Sequence, residues 1–208
     1  MTITVHHLNN SRSQRILWLL EELGVEYEVV RYERDAETNF APPELKQVHP
    51  LGKSPAIEDE GRLVTESGAI IEYLCDRHGG EAWLPERASS DWIDHLKWMQ
   101  FGESSFFVPV MLKLYSSRLG DAAAPLMPRI EEQFGAHVEY AESRISDDLH
   151  FVGSDWSAAD VMMSFPAEIA VMQGYAERAP KLARFVGAIH GRPAWQRARE
   201  RGGAYFMW

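Results

Sequence analysis

Cysteine is nearly absent from this sequence. Cys75 is the only one among 208 residues, so no disulfide can form within the chain, and a reducing, cytoplasmic setting is the simplest expectation. No run of about 18 apolar residues occurs, so no transmembrane helix is expected. The opening Met1-Thr2-Ile3-Thr4-Val5-His6 has no charged start followed by an apolar core, and no secretory signal is read there. Basic residues are also scarce: 21 Lys and Arg stand against 31 Asp and Glu, a net charge of −10. Nucleic acids and anionic membrane surfaces both call for basic patches, so neither is an expected partner. No metal site is expected either, because no His/Cys/Asp/Glu grouping has ligand spacing. The adjacent His6 and His7 would face opposite sides of a strand.

What the sequence does contain is enough apolar material for a full core: 45% hydrophobic and 11% aromatic residues. The length fits one large domain or two small ones. Ile3 and Val5 alternate as in a strand. Asn9-Asn10-Ser11 break that pattern with favoured helix N-caps. Gln14 to Leu23 is rich in Ile, Leu and Trp and stops at Gly24, which predicts a helix. Val25 to Tyr32 alternates again as a second strand. After a polar stretch with a short helix begun at Pro42-Pro43, two short strands and a helix from Glu66 to about His78 follow. The order β-α-β-α-β-β-α within residues 1–80 is that of a thioredoxin-like α/β domain. Residues 81–87, with Pro85, read as a linker, and 88–208 as an all-α helical domain. There Trp92, Leu96 and Met99 share a helix face, and Pro109 should kink or end that helix. Ser157-Ala158-Ala159-Asp160 has the form of a capping box.

The most informative stretch is Pro50 to Tyr73. Pro55 has no N–H and fits a strand only at its start, its edge or a bulge, and it pushes Ser54 to an extended conformation. An extended Ser54 with free N–H and C=O can pair with a peptide-like ligand as an added strand. Ser67 and Gly68 sit where a helix begins, and its first N–H groups and dipole favour a carboxylate. Glu66 can accept from an ammonium group. Together these groups suit the amino-acid end of a small peptide. The plainer alternative is a hairpin followed by a capped helix.

Pro-Leu-Gly-Lys-Ser-Pro-Ala-Ile-Glu-Asp followed by Glu-Ser-Gly-Ala-Ile-Ile-Glu-Tyr-Leu resembles the glutathione-binding segment of the cytosolic glutathione transferases. The resemblance spans essentially the whole chain. The style Ser-Arg-Ser-Gln-Arg-Ile-Leu-Trp-Leu-Leu-Glu-Glu-Leu-Gly is similar to a fungal and bacterial group of that family. It implies a cis bond at Pro55, a Ser54 backbone that bonds the cysteinyl unit, and a Glu66-Ser67 pair that holds the γ-glutamyl end. It also implies a thiol-activating residue just after the first strand, which places Asn10 or its neighbour Ser11 as catalytic candidates. Either side chain can donate to a thiolate, and either can equally serve as a helix cap. Lys53 is a candidate for the glycyl carboxylate, and Arg12 and Arg15 for the carboxylates generally; ordinary surface or ion-pair roles fit these three as well. Cys75 reads as a buried small hydrophobe.

The implied function is glutathione S-transferase: glutathione is a co-substrate, no cofactor is permanently bound, a small electrophile is the second substrate, and the protein is a homodimer. Trp98, Phe106 and Tyr115, with Phe101 and Phe107, are candidates for an electrophile wall, although such a stripe at helical spacing more often forms core. The apolar tail Tyr205-Phe206-Met207-Trp208 is expected to fold back onto the protein. Two other functions stay open on the same fold, a glutathione-dependent peroxidase or disulfide reductase and a non-catalytic glutathione-binding module.

Overall fold

A computed structural model describes residues 2–205. It divides into two compact units, one holding the chain up to Leu84 together with the chain from Ile189 onward, the other Pro85–Ala188.

The first unit is a four-stranded mixed sheet with helices. Its strands are β1 (Ile3–Leu8), β2 (Tyr27–Tyr32), β3 (Ala56–Asp59) and β4 (Arg62–Thr65), in the order β2-β1-β3-β4. β1 runs parallel to β2 and antiparallel to β3. Helix α1 (Ser13–Leu23) crosses between the parallel strands, the short α2 (Leu45–Val48) follows β2, and α3 (Ser67–Arg77) closes the segment. This is the thioredoxin-like order expected from the sequence. Strand β2 begins two residues later than its alternation suggested. Gly24 adopts a left-handed conformation at φ 66°, and the N–H of Val25 turns back to the carbonyl of Leu20. That Schellman closure uses Val25 to end the helix, not to start the strand.

The sequence divides the chain into a first domain, a linker over 81–87 and a helical domain over 88–208, whereas packing in the structure groups the residues differently. Helix α9 (Pro193–Gly202) groups with the first unit, and the division falls at Leu84/Pro85. The physical reason is its attachment to α1. Trp195 packs edge-on against Trp18 with ring centres 6.0 Å apart. Arg192 forks onto Glu22, and Arg197 and Arg201 reach Glu21. Burial works against the charges on Glu21 and Glu22, but hydrogen bonds from these arginines hold both carboxyls below the usual range. From β2, Arg31 Nε donates to the carbonyl of Arg201 at 2.8 Å, which satisfies an orphan acceptor at the helix end. Tyr205 packs on Trp195; Phe206–Trp208 lie outside the described residues.

The second unit is helical: α4 (Asp91–Gln100), α5 (Phe107–Ser117), α6 (Met127–Arg144), α7 (Ala158–Ala170) and most of α8 (Pro180–His190). α7 is buried along its whole length and opens with the expected capping box, Ser157 and Asp160. Pro109 does not end a helix. The chain passes from α4 through a π-helical turn (Phe101–Ser105), and Pro109 falls in the first turn of α5, where a missing N–H costs little. Among the described residues no helix is long and apolar enough to cross a membrane.

Trp195 is 1% exposed, so Trp195→Ala removes the wedge between α9 and α1. We expect a loss of about 3–5 kcal/mol, read as a lower urea midpoint. An unchanged midpoint would show that α9 contributes nothing to the first unit.

Candidate functional site

The site grows from the end of β1. The β1–β3 ladder pairs Thr4 with Glu58, Val5 with Ile57 and His6 with Ala56, then stops, because Pro55 has no N–H to extend it. The Ser54–Pro55 peptide is cis. Here the Ser54 hydroxyl replaces the ladder: it donates to the His6 carbonyl at 2.8 Å and accepts the Leu8 N–H at 3.2 Å. The backbone N–H and C=O of Ser54 make no hydrogen bond among the described residues.

Beside this turn, β4 ends and α3 begins. Glu66 lies between them at φ 68°, ψ 123°, a conformation that costs a non-glycine residue on the order of 1–3 kcal/mol. Its side chain makes no capping bond. Ser67 is buried in the first turn of α3. A small open cleft lies here. Lys53, Ser54, Pro55, Glu66 and Ser67 all line it, together with Arg12, His49, Leu51 and Thr65. His49, Leu51 and Thr65 were not singled out in the sequence. They flank the turn at Pro50 and the end of β4, so their proximity to the motif was the available signal. The cleft therefore offers three basic side chains, one carboxylate and a helix N-terminus, a pattern matched to a ligand with carboxylates and one ammonium.

The loop between β1 and α1 adjoins the cleft through Arg12. Asn10 is left-handed at φ 50°, a conformation Asn tolerates. Its Oδ1 is buried without a partner among the described residues, so its side chain does not cap α1. Ser11 is only partly a cap. Its Oγ accepts the Ser13 N–H at 3.3 Å, but it also donates to the Leu8 carbonyl at 2.7 Å and lies 2.8 Å from Ser13 Oγ. Ser13 Oγ in turn sits 2.8 Å from His7 Nδ1. Burial, with Arg31 nearby, lowers the His7 pKa from 6.5 to about 4 against a raising hydrogen bond to the Gly202 backbone. His7 is thus neutral at pH 7.

Other candidates fall elsewhere. Arg15 is 1% exposed and is not among the cleft residues. Cys75 is fully buried, and burial pushes its thiol up to about 12. Trp98 and Phe106 are not an open wall. Trp98 is buried against Phe101, Tyr140 and Phe151, and Phe106 against Phe101 and Phe134. Their helical spacing built core. Tyr115 is exposed.

Residues 1–76 match the family described as glutathione S-transferase, N-terminal domain. The chain is 31% identical to glutathione S-transferase 1 of Saccharomyces cerevisiae, across 97% of this chain and 96% of that protein. It is 30% identical to glutathione S-transferase 3 of Schizosaccharomyces pombe, across 96% of this chain and 87% of that one. Among solved structures it resembles a glutathione S-transferase from Actinobacillus pleuropneumoniae at a TM-score of 0.88 and 33% identity, covering 99% of this chain and 95% of the other.

The lowered pKa of His7 fixes a pH dependence. Between about 4 and 6.5 the unfolded chain binds a proton that the folded ring refuses. The stability tied to neutral His7 is therefore whole above pH 6.5 and is lost as pH falls toward 4, by up to about 3 kcal/mol. Urea denaturation should show a shallower decline over this window for His7→Phe than for the parent; parallel profiles would show that His7 titrates normally in the fold.

Proposed function

The chain belongs to the cytosolic glutathione S-transferase family, and from that premise we propose that it binds glutathione in its first unit, holds the sulfur as a thiolate and conjugates it to small electrophiles. The observation that carries this is the convergence of Lys53, Ser54, Pro55, Glu66 and Ser67 on one cleft, next to a loop of hydroxyl and amide donors.

Each part of the tripeptide has a matching group. The unused N–H and C=O of Ser54 pair with the cysteinyl backbone as an added strand. The γ-glutamyl carboxylate takes the first N–H groups of α3 and the Ser67 hydroxyl, where the helix dipole favours negative charge. Glu66 accepts from the α-ammonium. Lys53, supported by Arg12 and His49, faces the glycyl carboxylate. Ser11 and Asn10 supply donors to the sulfur.

The chemistry asked of the protein is modest. A free thiol titrates near 8.5 and reacts as its thiolate. A hydrogen bond to a charged acceptor is worth about 1.5–3 kcal/mol, so one well-aimed donor lowers that pKa by about one to two units. The thiol proton leaves to solvent, the thiolate forms the S–C bond, and the electrophile releases its leaving group or takes up a proton. Glutathione is consumed as co-substrate, and no resident cofactor enters the scheme. A homodimer in a cytoplasmic setting completes this proposal; the single, buried cysteine supports the setting.

An ultraviolet titration of bound glutathione tests the central step. The parent should show a thiol pKa at least one unit below that of free glutathione, and Asn10→Ala or Ser11→Ala should return it most of the way. Ser67→Ala should weaken glutathione binding by about tenfold, measured by calorimetry. Binding without a lowered thiol pKa would favour a binding module over a transferase.

A further inference from the structure

We propose that Arg34 is a positioning residue for the tripeptide site: its guanidinium, bonded to backbone carbonyls of two loops, holds the segment Asn9–Arg12 so that the Arg12 side chain lies in the cleft. This rests on the proposed function, in which that cleft takes glutathione.

The clamp starts where the β1–β2 ladder ends. Leu8 and Tyr32 are its last pair, and the Asn9 N–H adds one more step by donating to the Tyr32 carbonyl at 3.0 Å. In a parallel ladder the next bond would run from the Arg34 N–H to the Asn9 carbonyl. Here the Arg34 N–H goes instead to the Asn9 side-chain Oδ1 at 2.9 Å, which leaves the Asn9 carbonyl to the guanidinium. Arg34 Nε donates to that carbonyl at 3.2 Å. One terminal nitrogen donates to the Asn39 carbonyl at 3.2 Å, and the other reaches the Asn10 carbonyl at 3.5 Å. These three carbonyls accept no other hydrogen bond among the described residues. A guanidinium suits the task because its five N–H groups form a rigid planar fork. A lysine ammonium is a point charge on a flexible stem and fixes no such directions.

Both sides of the clamp are shaped for it. Asn10 and Asn39 stand in the left-handed region at φ 50° and 58°, which Asn tolerates. Asn39 belongs to a loop closed on itself. Its N–H donates to the Asp35 carbonyl at 2.8 Å, and the Asp35 N–H to the Phe40 carbonyl at 2.9 Å. Asp35 Oδ1 accepts the Thr38 N–H and the Thr38 hydroxyl, each at 2.7 Å. Across the guanidinium, the Asn10 carbonyl is followed by Ser11, which is tied to Leu8, and by Arg12, the N-cap of α1 with helical backbone at φ −58°, ψ −15°. Of Asn9 to Arg12, Arg12 is the residue that lines the cleft. Where its side chain starts depends on where the left-handed turn at Asn10 leaves the chain, and Arg34 is the side chain that anchors this turn to the neighbouring loop.

The test is binding of S-methylglutathione, which has no thiol to titrate, measured by calorimetry for the parent, Arg12→Ala, Arg34→Ala, Arg34→Lys and the double variant Arg12→Ala/Arg34→Ala. We expect Arg12→Ala and Arg34→Ala each to weaken binding by about tenfold, and Arg34→Lys by about threefold or more. The double variant should match Arg12→Ala alone, as expected for a group that acts through another. Methylguanidinium chloride below denaturing concentrations should restore most of the affinity of Arg34→Ala, whereas sodium chloride at equal ionic strength should not. A residue needed only for stability would lower the urea midpoint and leave these affinities unchanged. If Arg12→Ala weakens binding while both Arg34 variants bind like the parent, the clamp is wrong and the glutathione reading stands. Additive losses in the double variant overturn the clamp as well, and so does an Arg12→Ala variant that binds like the parent or a rescue that sodium chloride achieves equally. If the parent binds neither glutathione nor S-methylglutathione, both readings fall. Should Arg34→Ala fail to fold, Arg34→Lys and its double with Arg12→Ala decide in its place.

Discussion

One residue, Leu8, ties the turn at Pro55 to the loop after β1 through its two backbone polar groups. The N–H of Leu8 goes to the Ser54 hydroxyl and its carbonyl receives the Ser11 hydroxyl. The first bond fixes the turn at Pro55, beside the unbonded backbone of Ser54. The second fixes the loop after β1 that carries Asn10 and Ser11. Both bonds are buried, where an unmade hydrogen bond costs about 1–3 kcal/mol, and the Leu8 carbonyl is held a second time by the Ser13 hydroxyl at 3.3 Å. The spacing between the turn at Pro55 and the loop after β1 is therefore set by β1, an inner strand of the sheet.

Charge is distributed in the same local way. The chain carries a net −10, which by itself would repel an anionic tripeptide. Yet Arg12, His49 and Lys53 gather at the cleft with Glu66 as its one acid. At physiological ionic strength charges are screened beyond about 8 Å, so a ligand in the cleft responds to these side chains and to the α3 N-terminus far more than to the acidic remainder. The net charge speaks to nucleic acids and membranes; it does not set the ligand.

Legibility in the sequence followed the range of the interaction that built each feature. The strand, turn and helix signals of the first unit are local, and the glycine stop, the proline turn and the capping box appeared where residue chemistry placed them. The cleft residues were legible because turn chemistry and a helix start fall within about twenty residues of one another. Tertiary features were not. Nothing in Pro193–Gly202 announces that three arginines will find Glu21 and Glu22 on α1, since ion pairs across more than 160 residues leave no periodicity. Trp98 and Phe106 have the spacing of any buried face, and whether such a face meets solvent or other helices depends on neighbours that the pattern does not encode. Asn10 and Ser11 looked like caps because cap propensity is a statement about residue type, whereas the left-handed Asn10 backbone and the Ser11–Leu8 bond come from the strand end that precedes them.

Glu66 shows why the site tolerates strain. Its backbone stands in a sparsely populated region, and the strain persists only because both sides are held. β4 is paired to β3 up to Thr65, and α3 buries Ile70, Ile71 and Leu74, worth about 1.5–3 kcal/mol each. Those contacts exceed the local cost several-fold. Relaxing Glu66 would rotate the first turn of α3 and move Ser67 and its neighbouring N–H groups out of the cleft. The strained residue thus aims the helix N-terminus, and the core behind it supplies the energy that keeps it aimed.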